Sequence, residues 1–368
     1  MPTSINPAST DGGISNMRDV AIISFAQSDH VRAVNDANEV EMLMPVTAAA
    51  VAGANMTKND IDFTCSGSTD YLAGSAFSFV STLDGVGPWP PIQESHVEMD
   101  GAWALYEAWV KLQLGEINSA LIYCYGKSSP GPTHEVQSRQ LDPFFVAPLW
   151  PDTISLSALQ ARALLESGKA TEKDFADIVA RSRKAALDNP HAQLKWDKSA
   201  DQVLAEAMLV DPLRKDDCPP ITDGVAAVVI AADDVARAHC DRPAWIRGID
   251  HRIESAVLGL RDLTDSPSTR IAGEKAGVAR GSVDVAELHA PFSFQELIIR
   301  EALGLGGDVD INPSGGALCA NPIMTAGLVR FGEAASRIID GRANRAVAHA
   351  TSGACLQQNL VAVLEGEG

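Results

Sequence analysis

His289 closes a short alternating stretch, Val283 to Leu288, and a glycine turn, Asn312-Pro313-Ser314-Gly315-Gly316-Ala317, follows about two dozen residues later. An imidazole at a strand end can move a proton near neutral pH without a metal. Paired glycines let the main chain approach a ligand and aim bare N–H groups at developing negative charge. Together they suit chemistry on a carbonyl whose oxygen gains charge. Gly315 and Gly316 are read as oxyanion donors with Ser314 beside them, and His289 as general base or acid. The competing readings are a tight loop and a structural histidine. Asn321, in Ala320-Asn321-Pro322, either offers an amide N–H to the same oxygen or caps the segment before Pro322. Cys355 is either a reactive thiol or a buried one, and no basic neighbour in sequence depresses its pKa. Tyr106, Tyr123 and Tyr125 carry phenols that could serve as proton acceptor as an alkoxide forms; core packing is the default for each.

The elements that must position these residues alternate. Val20–Phe25 reads as a strand, 39–56 as a helix and Ile61–Cys65 as a strand. Ser66 to Asp70 caps a helix running towards Leu83, and 85–91 breaks the chain. The helix from Gly101 to Leu114 has only Glu107 and Lys111 as charges, which predicts burial inside a layered core. Ala120–Tyr125 follows as a buried strand. Strands and helices alternating in this way imply parallel pairing with crossovers. From Lys127 to Pro219 the character changes to a proline-rich loop and amphipathic helices, read as a cap inserted over the site. Alternation resumes after Pro220. The expected organisation is a flexible arm over 1–16, a first half over 17–126, the insertion over 127–219 and a second half over 220–368.

Composition narrows the function. A net charge of −19 argues against nucleic acid and anionic membranes, while a few local Arg or Lys would suffice for a phosphorylated ligand. Six cysteines at 65, 124, 218, 240, 319 and 355 form no CxxC pair, so no metal site is expected. No signal peptide or membrane span is evident, and a cytoplasmic protein is expected.

Beyond these local readings, Glu287-x-His289-x-x-Phe292, Asn312-Pro313-Ser314-Gly315-Gly316, Asn321-Pro322 and Gly327 resemble the C-terminal half of the thiolase superfamily. The sterol-carrier and lipid-transfer branch is the most similar, including members that act on steroid-CoA side chains. Pro220 to Ala227 resembles the family's linker into its second half. The resemblance implies a five-layered αβαβα fold of two similar halves, with the helix from Gly101 between them. It implies a coenzyme A thioester as substrate and no bound cofactor. It also implies a homodimer, or a heterodimer with a thiolase-like paralogue, built by continuing the first sheet near Tyr123 to Gly126 and Ser128-Ser129. Tyr125 joins Ser314, Gly315 and Gly316 as expected ligand contacts.

Departures from that pattern decide the chemistry. Thiolases place a nucleophilic cysteine at the start of the central helix, where the helix N-terminus stabilises a thiolate. Here that position falls at or beside Glu98, and no cysteine lies between Cys65 and Cys124. The family's Gly-His-Pro is Ala320-Asn321-Pro322, and its second cysteine falls near Gly353, two residues before Cys355. The expectation is a lyase that cleaves a carbon–carbon bond of a CoA thioester by retro-aldol chemistry, in steroid or lipid catabolism, with no acyl-cysteine. Related steroid side-chain aldolases pair with an OB-fold, zinc-ribbon protein, so such a partner is implied. Two alternatives stand beside it: a non-catalytic lipid-transfer subunit supporting an active paralogue, and an acyltransferase with Cys355 as relocated nucleophile.

Overall fold

The computed structural model describes residues 17–74 and 76–367; the arm expected over 1–16 lies outside them. The chain begins with β1 (Val20–Gln27), α1 (Glu39–Gly53), β2 (Phe63–Gly67), α2 (Asp70–Ala73) and α3 (Phe79–Val86). β3 (Gln93–Val97), α4 (Gly101–Gln113) and β4 (Ser119–Lys127) follow. The intervening segment holds α5 (Thr133–Arg139), α6 (Thr153–Glu166), α7 (Glu172–Ala185), α8 (Ala200–Leu204) and a small hairpin of β5 (Met208–Val210) and β6 (Leu213–Arg214). Then come β7 (Asp223–Ala232), α9 (Asp233–His239), β8 (Ala244–Ile253), α10 (Pro267–Ala276) and β9 (Val285–Leu288). The last elements are α11 (Gln295–Leu303), β10 (Asp310–Ile311), α12 (Ala326–Ile339), β11 (Arg345–Ser352) and β12 (Gln358–Glu365).

Two five-stranded halves have the same design. The first runs β3-β2-β4-β7-β1 and the second β10-β9-β11-β12-β8. In each, the first three strands are parallel, the fourth runs antiparallel to them, and the fifth runs antiparallel to the fourth. The halves meet edge to edge where β1 pairs β8 at Ala21↔Trp245 and Ile22↔Ala244. α4 and α12 occupy corresponding places, each between the third and fourth strands in sequence of its half, leaving the β5–β6 hairpin aside.

Side-chain alternation explains the layering. On β7, Ala226, Val228 and Ile230 face a core shared with α4 and α12, while Val225, Ala227 and Val229 face a core under α1. The second sheet likewise turns Ala346, Ala348 and Ala350 to the shared core and Val347 towards α10 and α11. A strand covered on both faces needs apolar residues throughout, and all ten residues of β7 are buried. The fold is thus αβαβα, with α4 and α12 as the middle layer.

Several expectations need correction. The helix expected from Asp70 towards Leu83 is two short ones, α2 and α3; Gly74, with φ of 77°, ends the first. β3 was not anticipated. The boundary at 220 is misplaced, because β7 pairs with both β1 and β4 and so completes the first half. Tyr123 to Gly126 cannot continue the sheet into a partner, since β4 is flanked by β2 and β7; the open edge is β3.

Candidate active site

A cavity of about 450 Å³ opens where the middle-layer helices begin, with Asp100, His289, Asn321, Thr351 and Cys355 in its wall. The segment over 127–219 supplies another wall through Gln137, Leu141 and Leu156.

Asp100 shows how the sequence builds the place. It is the N-cap of α4, its carboxylate accepting from Ala102 N at 2.9 Å. The same carboxylate accepts from Gly327 N at 2.8 Å and Leu328 N at 2.9 Å, the first turn of α12. Two helix N-termini therefore converge on one anion, and both dipoles favour it. Glycine is required on both sides. A Cβ on Gly327 would stand 2.5 Å from Asp100 Oδ1, and one on Gly101 2.6 Å from Cys124 Sγ. Burial pushes the Asp100 pKa up, against the pull of the three N–H groups and of Arg330.

His289 follows the last residue of β9 and is only 7% exposed. Its Nδ1 accepts from Thr351 N at 3.4 Å, which leaves the proton of the neutral ring on Nε2. Nε2 then donates to Asn321 Oδ1 at 3.0 Å. Burial is the main cause of a pKa lowered to about 4, opposed by the bonds to Asn321 and Thr351 and assisted by Arg330. Such a ring is neutral at pH 7 and a weak proton acceptor, but a competent hydrogen-bond donor. Asn321 Nδ2 has no hydrogen-bond partner among the described residues, and the residue lines the cavity.

The glycine turn is placed differently from expectation. Gly315 N donates to Asn312 O at 2.8 Å and Gly316 N to Ser314 Oγ at 3.3 Å, so both N–H groups are spent inside the turn. Their φ values, 98° and 66°, show why glycine stands there. Ser314 is bound from below: its N–H and Oγ donate to Glu287 at 3.0 and 2.7 Å. Arg330 closes this buried cluster, reaching Glu287 at 2.7 Å and Ser314 Oγ at 2.6 Å. Neither Ser314 nor either glycine lines the cavity at His289. The reading of this turn as an oxyanion hole is replaced by a structural one: it clamps the end of β9.

The remaining candidates separate as well. Glu98 is outside the cavity wall, accepting from Asp70 N at 2.6 Å and pairing with His96 Nε2 at 3.3 Å. It holds the start of α2. Tyr125 is buried under the outer layer of the first half, away from the cavity, and burial raises its pKa. Cys355 does line the cavity, but its Sγ donates to Leu156 O at 3.6 Å and burial pushes its pKa up to about 11. It is a thiol, not a thiolate. Sequence reasoning placed Glu98 rather than its near neighbour Asp100 among the site residues, although the position of Asp100 directly before Gly101 marks an N-cap. Thr351 acts through its backbone, which no residue type announces.

No protein-family model matches the chain. It is 29% identical over 218 residues to an acetyl-CoA acetyltransferase of Methanothermobacter thermautotrophicus, covering 51% of this chain and 57% of that one. Sterol carrier protein 2 of Bos taurus is 28% identical, over 48% of this chain and 39% of its own length. These matches span less than two thirds of the relatives' length. Among solved structures, the Ltp2–ChsH2(DUF35) aldolase superposes with a TM-score of 0.78 at 18% identity, covering 94% of this chain and 97% of that one. Human mitochondrial 3-ketoacyl-CoA thiolase in complex with CoA gives 0.74 at 14% identity, covering 96% and 99%. Fold and sequence relatives agree with the motifs: the chain is similar to proteins of the thiolase superfamily, the sterol-carrier, lipid-transfer branch among them.

Proposed function

We propose that this chain cleaves a carbon–carbon bond of a β-hydroxyacyl-CoA by retro-aldol chemistry, without an acyl-cysteine. The observation that carries the reading is the cavity wall itself. It joins a buried carboxyl at two helix N-termini to a neutral His–Asn pair, and its only cysteine is a protonated thiol. Asp100, its pKa raised, accepts the proton of the β-hydroxyl. The bond between the α and β carbons breaks, the β carbon leaves as aldehyde or ketone, and its electron pair forms the thioester enolate. Asn321 Nδ2–H, held by His289, meets the thioester oxygen as charge builds there. Return of the proton to the α carbon completes the shortened acyl-CoA. A lipid or steroid side chain is the substrate class that the relatives suggest.

A non-catalytic role is the second reading, favoured by one observation: both ring nitrogens of His289 already have partners. The Ltp2–ChsH2(DUF35) aldolase among the structural neighbours is named for two proteins, which suggests assay with a partner present. Candidate β-hydroxyacyl- and β-ketoacyl-CoA thioesters are to be incubated with the chain, alone and with its genomic-neighbour proteins. An aldehyde or ketone product supports the proposal. Two acyl-CoA products formed only with free CoA signal thiolysis, and silence under all conditions favours the supporting subunit.

A further inference from the structure

A second cavity, of about 440 Å³, lies in the outer layer of the first half between α1, α3 and the outer face of β2 and β4. It shares no lining residue with the cavity at His289. Met44, Ala48, Ala52 and Asp84 in its wall are exposed, so it is a groove open to solvent, and its volume falls within the range of about 300–1,000 Å³ typical of small-molecule sites. Met44, Val51, Met56, Ile61, Ile92 and Leu121 give it an apolar wall. The hydroxyls of Thr47 and Thr64, also in the wall, are turned to backbone carbonyls, Leu43 O at 3.1 Å and Gln93 O at 3.5 Å. Methionine on two sides makes the wall adaptable in shape.

One cation belongs to this cavity. Lys58 Nζ donates to Trp89 O at 2.6 Å and rests over Gly87, where a Cβ would come within 3.2 Å of it. Asp84 also borders the cavity, yet among the described residues Lys58 forms no ion pair with it or with any other carboxylate. Acidic residues outnumber basic ones 48 to 29 in this chain, yet among the described residues the Lys58 ammonium keeps only a carbonyl partner. A carbonyl partner leaves its charge uncompensated and two of its three donors open.

We propose that this cavity binds a single-chain carboxylate amphiphile, its hydrocarbon tail in the apolar hollow and its carboxylate on Lys58. This does not depend on the chemistry at His289. Dodecanoate and dodecanol, titrated calorimetrically into the full chain, separate the two contributions. Dodecanoate should saturate one site in the first half. Val51→Trp fills the hollow and should weaken both ligands at least about tenfold, whereas Lys58→Gln should weaken dodecanoate about tenfold and leave dodecanol unchanged. Leu141→Trp, which fills the other cavity, should leave dodecanoate binding intact. Melting curves verify folding, with Ala48→Phe as the filling variant if Val51→Trp melts early. The proposal is overturned if wild type shows no saturable binding, or if a folded filling variant binds like wild type. Loss of binding in Leu141→Trp would also overturn it, as would equal weakening of both ligands by Lys58→Gln.

Discussion

At the scale of single residues, protonation separates this site from one built on a thiolate. Cys355 is in the wall, but a thiol raised to about 11 is unreactive at neutral pH. Cys355→Ala should therefore leave kcat within a factor of about two, whereas Asn321→Ala should lower it by about 10²–10³, the scale for removing one oxyanion donor. Steady-state kinetics on the same thioester check both. His289 carries a second test through linkage. Its folded pKa of about 4 lies below its ordinary 6.5, so the unfolded chain binds the proton first as pH falls. The stabilisation is present in full above 6.5 and is lost as pH drops towards 4. Against a His289→Gln variant, wild type should lose about 1.4 kcal/mol per pH unit across that window. Denaturant midpoints at a series of pH values measure the gap; a gap constant with pH would contradict the placement of a neutral, buried ring.

Between elements, the two middle-layer helices and the clamp on β9 do the positioning. Gly327→Ala forces a methyl to within 2.5 Å of Asp100 Oδ1, so α12 or the carboxylate must shift. It should cost about 1–3 kcal/mol in stability, with activity falling further than the melting point would suggest. Glu287→Gln leaves Arg330 buried without its counter-ion and should cost about 3–5 kcal/mol. Equilibrium unfolding of the two variants checks these values. The elements were legible where pattern and burial agree: the apolar run of α4 announced a buried helix, and the alternation before His289 announced β9. The glycine turn was legible as a turn, but its role was not. Sequence shows that Gly315 and Gly316 can expose N–H groups; only the fold shows those groups consumed by Asn312 and Ser314. Glu98 failed for a similar reason. Two residues decide whether a carboxylate faces the cavity or the start of α2, and spacing alone does not resolve that.

At the level of the whole molecule, two halves with one strand order place α4 and α12 together and leave β3 as the free edge of the first sheet. An open edge invites pairing, and Trp89 and Phe77 stand 82% and 72% exposed on the segments leading into and preceding it. A dimer continuing the sheet through β3 is expected. Amide exchange should be slow along Gln93–Val97 at high concentration and accelerate on dilution, while a monomer at micromolar concentration would contradict this. The repeated architecture also explains why the half-boundary was misread: β7 looks like the start of a second unit in sequence, yet its partners are β1 and β4. The central claim is that this fold here breaks a carbon–carbon bond without covalent capture of the acyl group. Intact-mass spectrometry of acid-quenched enzyme during turnover of a β-hydroxyacyl-CoA tests it most directly. The account predicts an unmodified chain while aldehyde or ketone accumulates; an acyl adduct on Cys355, formed and discharged at the rate of turnover, would contradict it.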